Sequence, residues 1–280
     1  MLEFKNVTFK YVGAQENALE DISFTVNDGD FIGITGAGGA GKSSLTYAMN
    51  GVVPHCYKGD FYGAVLVDGK DTVETDPEDI AVILGSVFQD IDAQLIMPNV
   101  YEEMLFGLEN FGVEHSEIEK RIDEALSMVG IEDLKHRDIA TLSGGQKQKV
   151  AIASIIALNP KYLVLDEPTG ELDPKSSRRI FELLKELNEK HGITVIVVEQ
   201  KIMLLCEFVK KLIVMRDGKI LLNGNVDEVL RHSDELLETG INVPRIVTLA
   251  QILREKGKFD GKMPVNIKEA VNMAKEVQSK

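Results

Sequence analysis

Residues Gly36 to Ser43 read Gly-Ala-Gly-Gly-Ala-Gly-Lys-Ser, which satisfies G-x-x-x-x-G-K-[ST], and no other stretch limits the possible folds of this chain as tightly. A short continuous apolar run, Phe31 to Thr35, enters the loop, and Lys42 to Asn50 leaves it with a helical pattern. A strand, a glycine-dense loop and a helix in that order begin a parallel α/β sheet. Glycines let backbone N–H groups converge on a phosphate without obstruction by Cβ, and the helix amino terminus adds a favourable partial charge. Lys42 can then reach the β and γ oxygens of a nucleotide while the Ser43 hydroxyl holds Mg²⁺. Gly36, Gly38, Gly39, Gly41, Lys42, Ser43 and Ser44 are therefore the candidate phosphate-binding residues.

Such a loop needs an acidic partner, and Tyr162-Leu163-Val164-Leu165-Asp166-Glu167 supplies one as a buried strand ending in two carboxylates. Asp166 at the strand end suits Mg²⁺, directly or through water. Glu167 is placed to polarise an attacking water, a role typically contributing about 10²- to 10⁴-fold.

The rest of the chain reads in segments. Residues 2 to 32 alternate apolar and polar positions (Phe4, Val7, Phe9, Tyr11, then Ile22, Phe24, Val26), with turn residues at Gly13 and Asn27-Asp28-Gly29, and predict antiparallel strands. From Glu102 to Val129 the period becomes helical, and Val150 to Leu158 continues as a buried helix. Arg179 to Lys190 reads as an amphipathic helix, Thr194 to Val198 as a buried strand, and Lys211 to Leu222 as a hairpin around Asp217-Gly218. Beyond about Asn225 two amphipathic helices are expected, one with Ile246, Leu249, Ile252 and Leu253 on its apolar face, the other with Ile267, Ala270, Val271 and Ala274.

With 280 residues there is room for one large α/β domain plus an appendage. Acidic side chains number 45 against 31 basic, a formal net charge of −14, so the molecular field repels phosphate backbones and nucleic acid is not an expected partner. Cys56 and Cys206 form no C-x-x-C motif; they point to a reducing compartment and read as packing residues. The opening residues MLEFKNVTFKY do not read as an apolar signal segment and no apolar run reaches the roughly 18 residues of a membrane span, so any membrane crossing is expected to fall to another chain.

Leu142-Ser143-Gly144-Gly145-Gln146 narrows the class. Together with the two phosphate motifs, this pentapeptide resembles the LSGGQ signature of the ATP-binding cassette (ABC) ATPases, which lies between the Walker A and Walker B motifs. A serine and two glycines opening the helix that runs through Val150 also make a second helix-terminus anion site. The resemblance implies that two cassettes pack head to tail, with each ATP held between the Walker A of one and Ser143, Gly144, Gly145 and Gln146 of the other. It implies further that Tyr11 stacks on adenine. Gln89 would be the Q-loop glutamine that contacts Mg²⁺ and faces a transmembrane partner, and Leu172-Asp173 the D-loop. The expected fold is an α/β P-loop cassette over residues 1–225, with a mixed or parallel sheet core, an antiparallel β subdomain and a helical subdomain inserted at about 90–158. A helical dimerisation extension would occupy 226–280.

A narrower likeness, to the ATPase subunits of energy-coupling factor (ECF) transporters, rests on Phe88-Gln89-Asp90 with Ala93-Gln94-Leu95, on FGLENFG from Phe106 to Gly112, and on the tail VPRIVTLAQILREKG. It implies ATP and Mg²⁺ as cofactors, a second ATPase subunit, a transmembrane coupling protein and a substrate-binding membrane protein as partners, and a place on the cytoplasmic face of the membrane. The cargo would be a vitamin or a transition-metal ion. One departure stands out: where the family has a histidine after the strand Thr194 to Val198, this chain has Gln200. Glutamine donates a neutral hydrogen bond but carries no imidazolium charge. The alternative expectation is thus a weakened subunit of an asymmetric heterodimer whose paralogue does most of the hydrolysis. ABC ATPases acting on DNA or the ribosome fit badly, because this chain is acidic, holds one cassette and leaves no room between Ser43 and Leu142 for a long coiled coil.

Overall fold

The computed structural model describes residues 1–279 as two sheets and the helices packed on them. Ten strands alternate with helices: β1 (Leu2–Tyr11), β2 (Leu19–Val26), β3 (Phe31–Gly36), β4 (Gly59–Val67), β5 (Lys70–Asp71), β6 (Leu84–Val87), β7 (Tyr162–Asp166), β8 (Thr194–Val198), β9 (Lys211–Arg216) and β10 (Lys219–Asn225). A six-stranded sheet runs in the order β10-β9-β3-β8-β7-β6, parallel except for the β9–β10 hairpin. The second sheet, β2-β1-β4-β5, is antiparallel. The mixed sheet core and the antiparallel β layer expected from the sequence are both present.

Strands β3, β7 and β8 are buried along their whole length because each lies between two neighbours and is covered on both faces, which is why their sequences are continuous apolar runs. Their side chains alternate between two cores. Ile32, Ile34, Val164, Ile196 and Val198 join the antiparallel sheet and the Lys42–Met49 helix. Phe31, Leu163, Leu165, Val195 and Val197 join the helices that follow β6 and β7 and the carboxy-terminal helices.

Local chemistry sets the helix ends. Asp173 caps the Pro174–His191 helix by accepting from Lys175 N–H at 2.9 Å and Ser176 N–H at 3.1 Å, and Gly192 closes it in the left-handed region at φ 72°. This helix starts five residues earlier than its apolar periodicity from Arg179 suggests, because the cap and Pro174 extend it through a polar turn. Between β6 and β7 come the helices Ile91–Gln94, Val100–Asn110, His115–Val129 and Gly144–Ile156. The tail folds as helices Val226–Leu230, Ser233–Glu238, Arg245–Glu255 and Ile267–Ser279.

Three sequence expectations need correction. Strand β4 was not anticipated, since Gly59 and Gly63 break its apolar pattern. Gly63 sits at φ 83°, and a Cβ there would lie 2.4 Å from the Asn6 and Lys5 carbonyls of β1, so close cross-strand approach demands the glycine. Cys206 is buried as expected and its thiol is pushed up to about 12 by desolvation, but Cys56 is exposed after a short turn and stays out of both cores. In the tail, Ile246 and Leu253 pack half-buried against the core as expected, but Val247 and Ala250 of the same helix and Met273 of the other are the residues fully inward, whereas Leu249 and Ile252 stay 47% and 43% exposed and Ile267 and Val271 also face outward. The inward stripe of residues 246, 247, 250 and 253 keeps helical spacing but lies to one side of the expected one, because the packing of the tail on the domain selects the face.

Candidate nucleotide site

The glycine loop leaves β3 at the centre of the six-stranded sheet, where the carboxyl ends of β3, β7 and β8 meet. Parallel pairing in register along β3, β8 and β7 brings Gly36, Asp166 and the residues after Val198 to one edge. That edge is the usual ligand position of an open α/β sheet. Gly41, at φ 96°, begins the Lys42–Met49 helix, and a Cβ there would sit 2.5 Å from the Ala18 carbonyl. Gly36 likewise lies against the Met215 carbonyl, so these two glycines serve close packing. At Gly39 an added Cβ would meet nothing within 4 Å, and at Gly38 only the Gln200 Nε2 at 3.9 Å. The space over Gly38 and Gly39 is therefore open for a ligand.

Lys42 is buried, and its Nζ donates to the Gly36 and Ala37 carbonyls at 3.1 and 3.2 Å and lies 3.9 Å from a Glu167 carboxylate oxygen. Asp166 is 6% exposed. Burial and the neighbouring Glu167 charge raise its carboxyl above the usual aspartate value, while hydrogen bonds from Ser43 and Thr46 and the Lys42 charge oppose that shift. Thr46, which the sequence reading did not single out, donates to the Ser43 carbonyl at 2.8 Å and reaches Asp166 at 3.5 Å. Its position one helical turn after Ser43 was the available signal.

Glu167 adopts φ 49°, a left-handed conformation unusual for a side-chain-bearing residue, and its N–H donates to the Val198 carbonyl at 2.8 Å. Gln89 Nε2 donates to Glu167 Oε2 at 3.3 Å, which joins the loop after β6 to the end of β7. The Tyr11 hydroxyl lies 3.0 Å from Ser44 Oγ, so the ring stands beside the start of the phosphate helix. Tyr57 approaches Tyr11 edge-on, with ring centroids 6.4 Å apart.

Ser143, Gly144, Gly145 and Gln146 stand apart from the glycine loop, although Gly144 borders the Gln89 and Glu167 side of the cluster. Ser143 caps the Gly144–Ile156 helix, accepting from Gln146 N–H, while the Gln146 side-chain carbonyl oxygen accepts from Ser143 N–H at 2.9 Å. Gly36, Ala37, Gly38 and Gln200 line one cleft of about 860 Å³. Gly144 lines another of about 630 Å³ with Gln89 and Glu167, and Leu172 borders both. The structure thus brings Tyr11, the glycine loop, Lys42, Ser43, Ser44, Gln89, Asp166, Glu167 and Gln200 together within one chain, and leaves the pentapeptide separate from the loop.

The sequence model of a family described as ABC transporter matches residues 19–170. This chain belongs to the ABC transporter family. A Pyrococcus abyssi protein named as an ABC transporter ATP-binding protein is 38% identical to this cassette over 257 residues, 92% of each chain. A similarly named Pyrococcus horikoshii protein is 38% identical over 92% of this chain and 90% of its own. Among solved structures, CbiO1 from Clostridium perfringens, described as part of the ABC transporter complex CbiONQ, is 34% identical, with a TM-score of 0.76 over 89% of this chain and 97% of that one. The ATP-binding cassette MJ0796, solved as a dimer in a post-hydrolysis state with ADP and Pi, is 31% identical with a TM-score of 0.68, covering 81% of this chain and 99% of that one. The fold is that of an ABC cassette, and the protein is an ATP-binding ATPase subunit whose hydrolysis is coupled to transport. No helix among the described residues is long and apolar enough to cross a membrane.

Proposed function

We propose that this cassette energises an ECF-type importer and that the P-loop cluster is its hydrolytic site. The carrying observation is the position of Glu167, between the Lys42 ammonium and the Gln89 amide at the head of the glycine loop. In this reading the loop N–H groups and Lys42 hold the β and γ phosphates, Tyr11 supports the base, and Glu167 draws the proton from the attacking water. Gln200, beside Gly38, offers its amide N–H to the γ-phosphate and can stabilise charge there without carrying any itself. The Ser43 hydroxyl, the Asp166 carboxylate and the Gln89 amide oxygen are hard oxygen donors of the kind Mg²⁺ accepts when phosphates and water complete its shell. Bound there, the ion would neutralise charge on the phosphates.

Because the pentapeptide lies apart from the loop, the reading requires a second cassette whose Ser143 region closes over the nucleotide. The similarity to CbiO1, part of a multi-component transporter complex, supports a subunit working with membrane proteins on the cytoplasmic face of the membrane. The segments Phe88 to Leu95 and Phe106 to Gly112 and the long tail favour the ECF type, with a vitamin or transition-metal ion as cargo.

The test is steady-state ATP turnover of the purified chain beside Glu167→Gln and Gln200→His, with ATP binding measured in each. Turnover in the parent that disappears in Glu167→Gln supports the reading. Binding without turnover, restored by Gln200→His, would assign the chain to one half of an asymmetric pair. Turnover that survives Glu167→Gln would remove Glu167 from the chemistry.

A further inference from the structure

We propose that Glu199 is a positioning residue for ATP hydrolysis, a buried staple fixing the turn that carries Glu167 to the loop that carries Gln200; the inference rests on the role given above to Glu167. Glu199 directly follows β8 and is 1% exposed, an unusual place for a carboxylate. Its N–H donates to the Ile34 carbonyl at 2.9 Å, which pins its backbone to the strand that delivers the glycine loop. One of its oxygens, Oε1, accepts from Thr169 N–H at 3.0 Å and also from the Thr169 hydroxyl. Thr169 is fully buried and stands two residues beyond Glu167. The other oxygen faces the Lys201 N–H at 3.5 Å, and the Lys201 ammonium returns to the Thr169 and Gly170 carbonyls at 3.1 and 3.3 Å.

The staple therefore closes from both sides of Gln200. Residues 199 and 201 each hold the 169–170 turn, and Gln200 between them is left to point at the glycine loop. On the other side, Glu167 sits at φ 49°, and a conformation of this kind persists only where its surroundings over-determine it. The Glu167 N–H bond to Val198, the Gly170 N–H bond to the Glu167 carbonyl at 3.0 Å and the Thr169 bonds to Glu199 supply that constraint. Glu199 does not act on water: its carboxylate is turned into the turn and occupied by Thr169. It acts by keeping Glu167 and Gln200 in register with the β3 end, where a misplacement of about 1 Å can cost about 10²-fold in rate.

The experiment compares the full chain with Glu199→Ala, Glu199→Gln and Thr169→Val, reading kcat for ATP, the ATP dissociation constant and thermal stability in each. Glu199→Ala is expected to lower kcat by about 10²-fold while ATP affinity stays within about 3-fold. Glu199→Gln keeps an acceptor for both Thr169 donors but sets its amide nitrogen against the Lys201 N–H, and is expected to recover part of that loss; Thr169→Val, which removes only the hydroxyl donor, should fall between the parent and Glu199→Ala. Unchanged kcat in Glu199→Ala would overturn the proposal, as would a parallel loss of ATP affinity, which marks a collapsed site. Glu199→Gln as poor as Glu199→Ala would also overturn it, since charge and not acceptor geometry would then matter. If Glu199→Ala fails to fold, the Thr169→Val result decides on the same criteria. Glu167→Gln in the same series separates the two claims. Full turnover there overturns both, whereas a silent Glu199→Ala beside an inactive Glu167→Gln overturns the staple alone.

Discussion

At the scale of single residues, the site balances charge burial against ligand readiness. Lys42 holds two carbonyls of its own loop and faces Glu167, which fixes its ammonium at the loop where the proposed function puts the phosphates. Charge-assisted bonds of this kind contribute about 1.5–3 kcal/mol each, so Lys42→Ala should weaken ATP binding by at least about 10-fold, measured by titration calorimetry. Asp166 gives a pH-dependent expectation. Its carboxyl is raised in the folded chain, chiefly by burial, so the native state binds a proton more readily than the unfolded chain at pH values from 3.8 up to the folded value. Stability without nucleotide therefore falls as pH rises through that interval. Asp166→Asn, which removes the buried charge, should raise the melting temperature at neutral pH, and the gain should shrink as pH is lowered towards about 4. Equal melting temperatures for this variant and the parent at neutral pH would contradict the expectation. Thr169 and Glu199, unlike Thr46 with its helical spacing from Ser43, belong to no pattern in the sequence: each is a lone polar residue just beyond a buried strand, and only the packed sheet shows what it touches.

At the scale of elements, the loop between β6 and the Val100–Asn110 helix depends on one buried carboxylate. Glu103 accepts from the Ile96 N–H at 2.9 Å and the Met97 N–H at 2.8 Å, closing the segment that begins with Gln89 onto the helix that follows it. Glu103→Ala leaves both donors without their partner, at about 1–3 kcal/mol. Hydrogen exchange should then accelerate at Ile96 and Met97 while β7 and β8 remain protected; equal protection at Ile96 in parent and variant would show that the clasp is not needed. The Lys147–Asp92 ion pair, 2.6 Å long, joins the same segment to the Gly144–Ile156 helix but is exposed on the aspartate side and should matter little. The start of that helix was readable in the sequence, because Ser143 and Gln146 form a capping box three residues apart. That Gly144 lies beside its own Leu172, with an added Cβ 3.3 Å from the leucine, was not readable, because the approach is set by the packing of two distant segments.

At the scale of the whole molecule, the phosphate loop and the Ser143 region face different clefts, and the tail leaves apolar side chains outside. Both features fit a pair of cassettes. Ser143→Arg should leave ATP binding intact and abolish ATP-dependent dimer formation, read by sedimentation in the Glu167→Gln background; dimers of normal strength would argue against closure through this surface. Leu249→Asp with Ile252→Asp addresses the tail. These positions are already exposed, so the monomer should keep its melting temperature, while any dimer formed through the tail should weaken by about 10-fold or more, as expected when apolar contacts at an interface centre are lost. An unaltered dimer would place the tail outside the interface.

Local pattern was enough to assign the cassette class and to single out most residues of the candidate nucleotide site. The glycine loop, Asp166-Glu167 and Leu142 to Gln146 are each readable because their chemistry needs specific residue types at fixed spacing. The apolar runs of β3, β7 and β8 were equally legible, since burial on both faces leaves no polar alternation. Three matters were settled by packing and by nothing local: that β4 pairs with β1 through its glycines, that the tail helices turn Val247, Ala250 and Met273 inward, and that Glu199 grips Thr169. In each the outcome depends on which distant segment arrives at contact distance. A helix with two apolar stripes, or a strand interrupted by glycine, can satisfy its local preferences in more than one way, and burial against a particular neighbour selects between them.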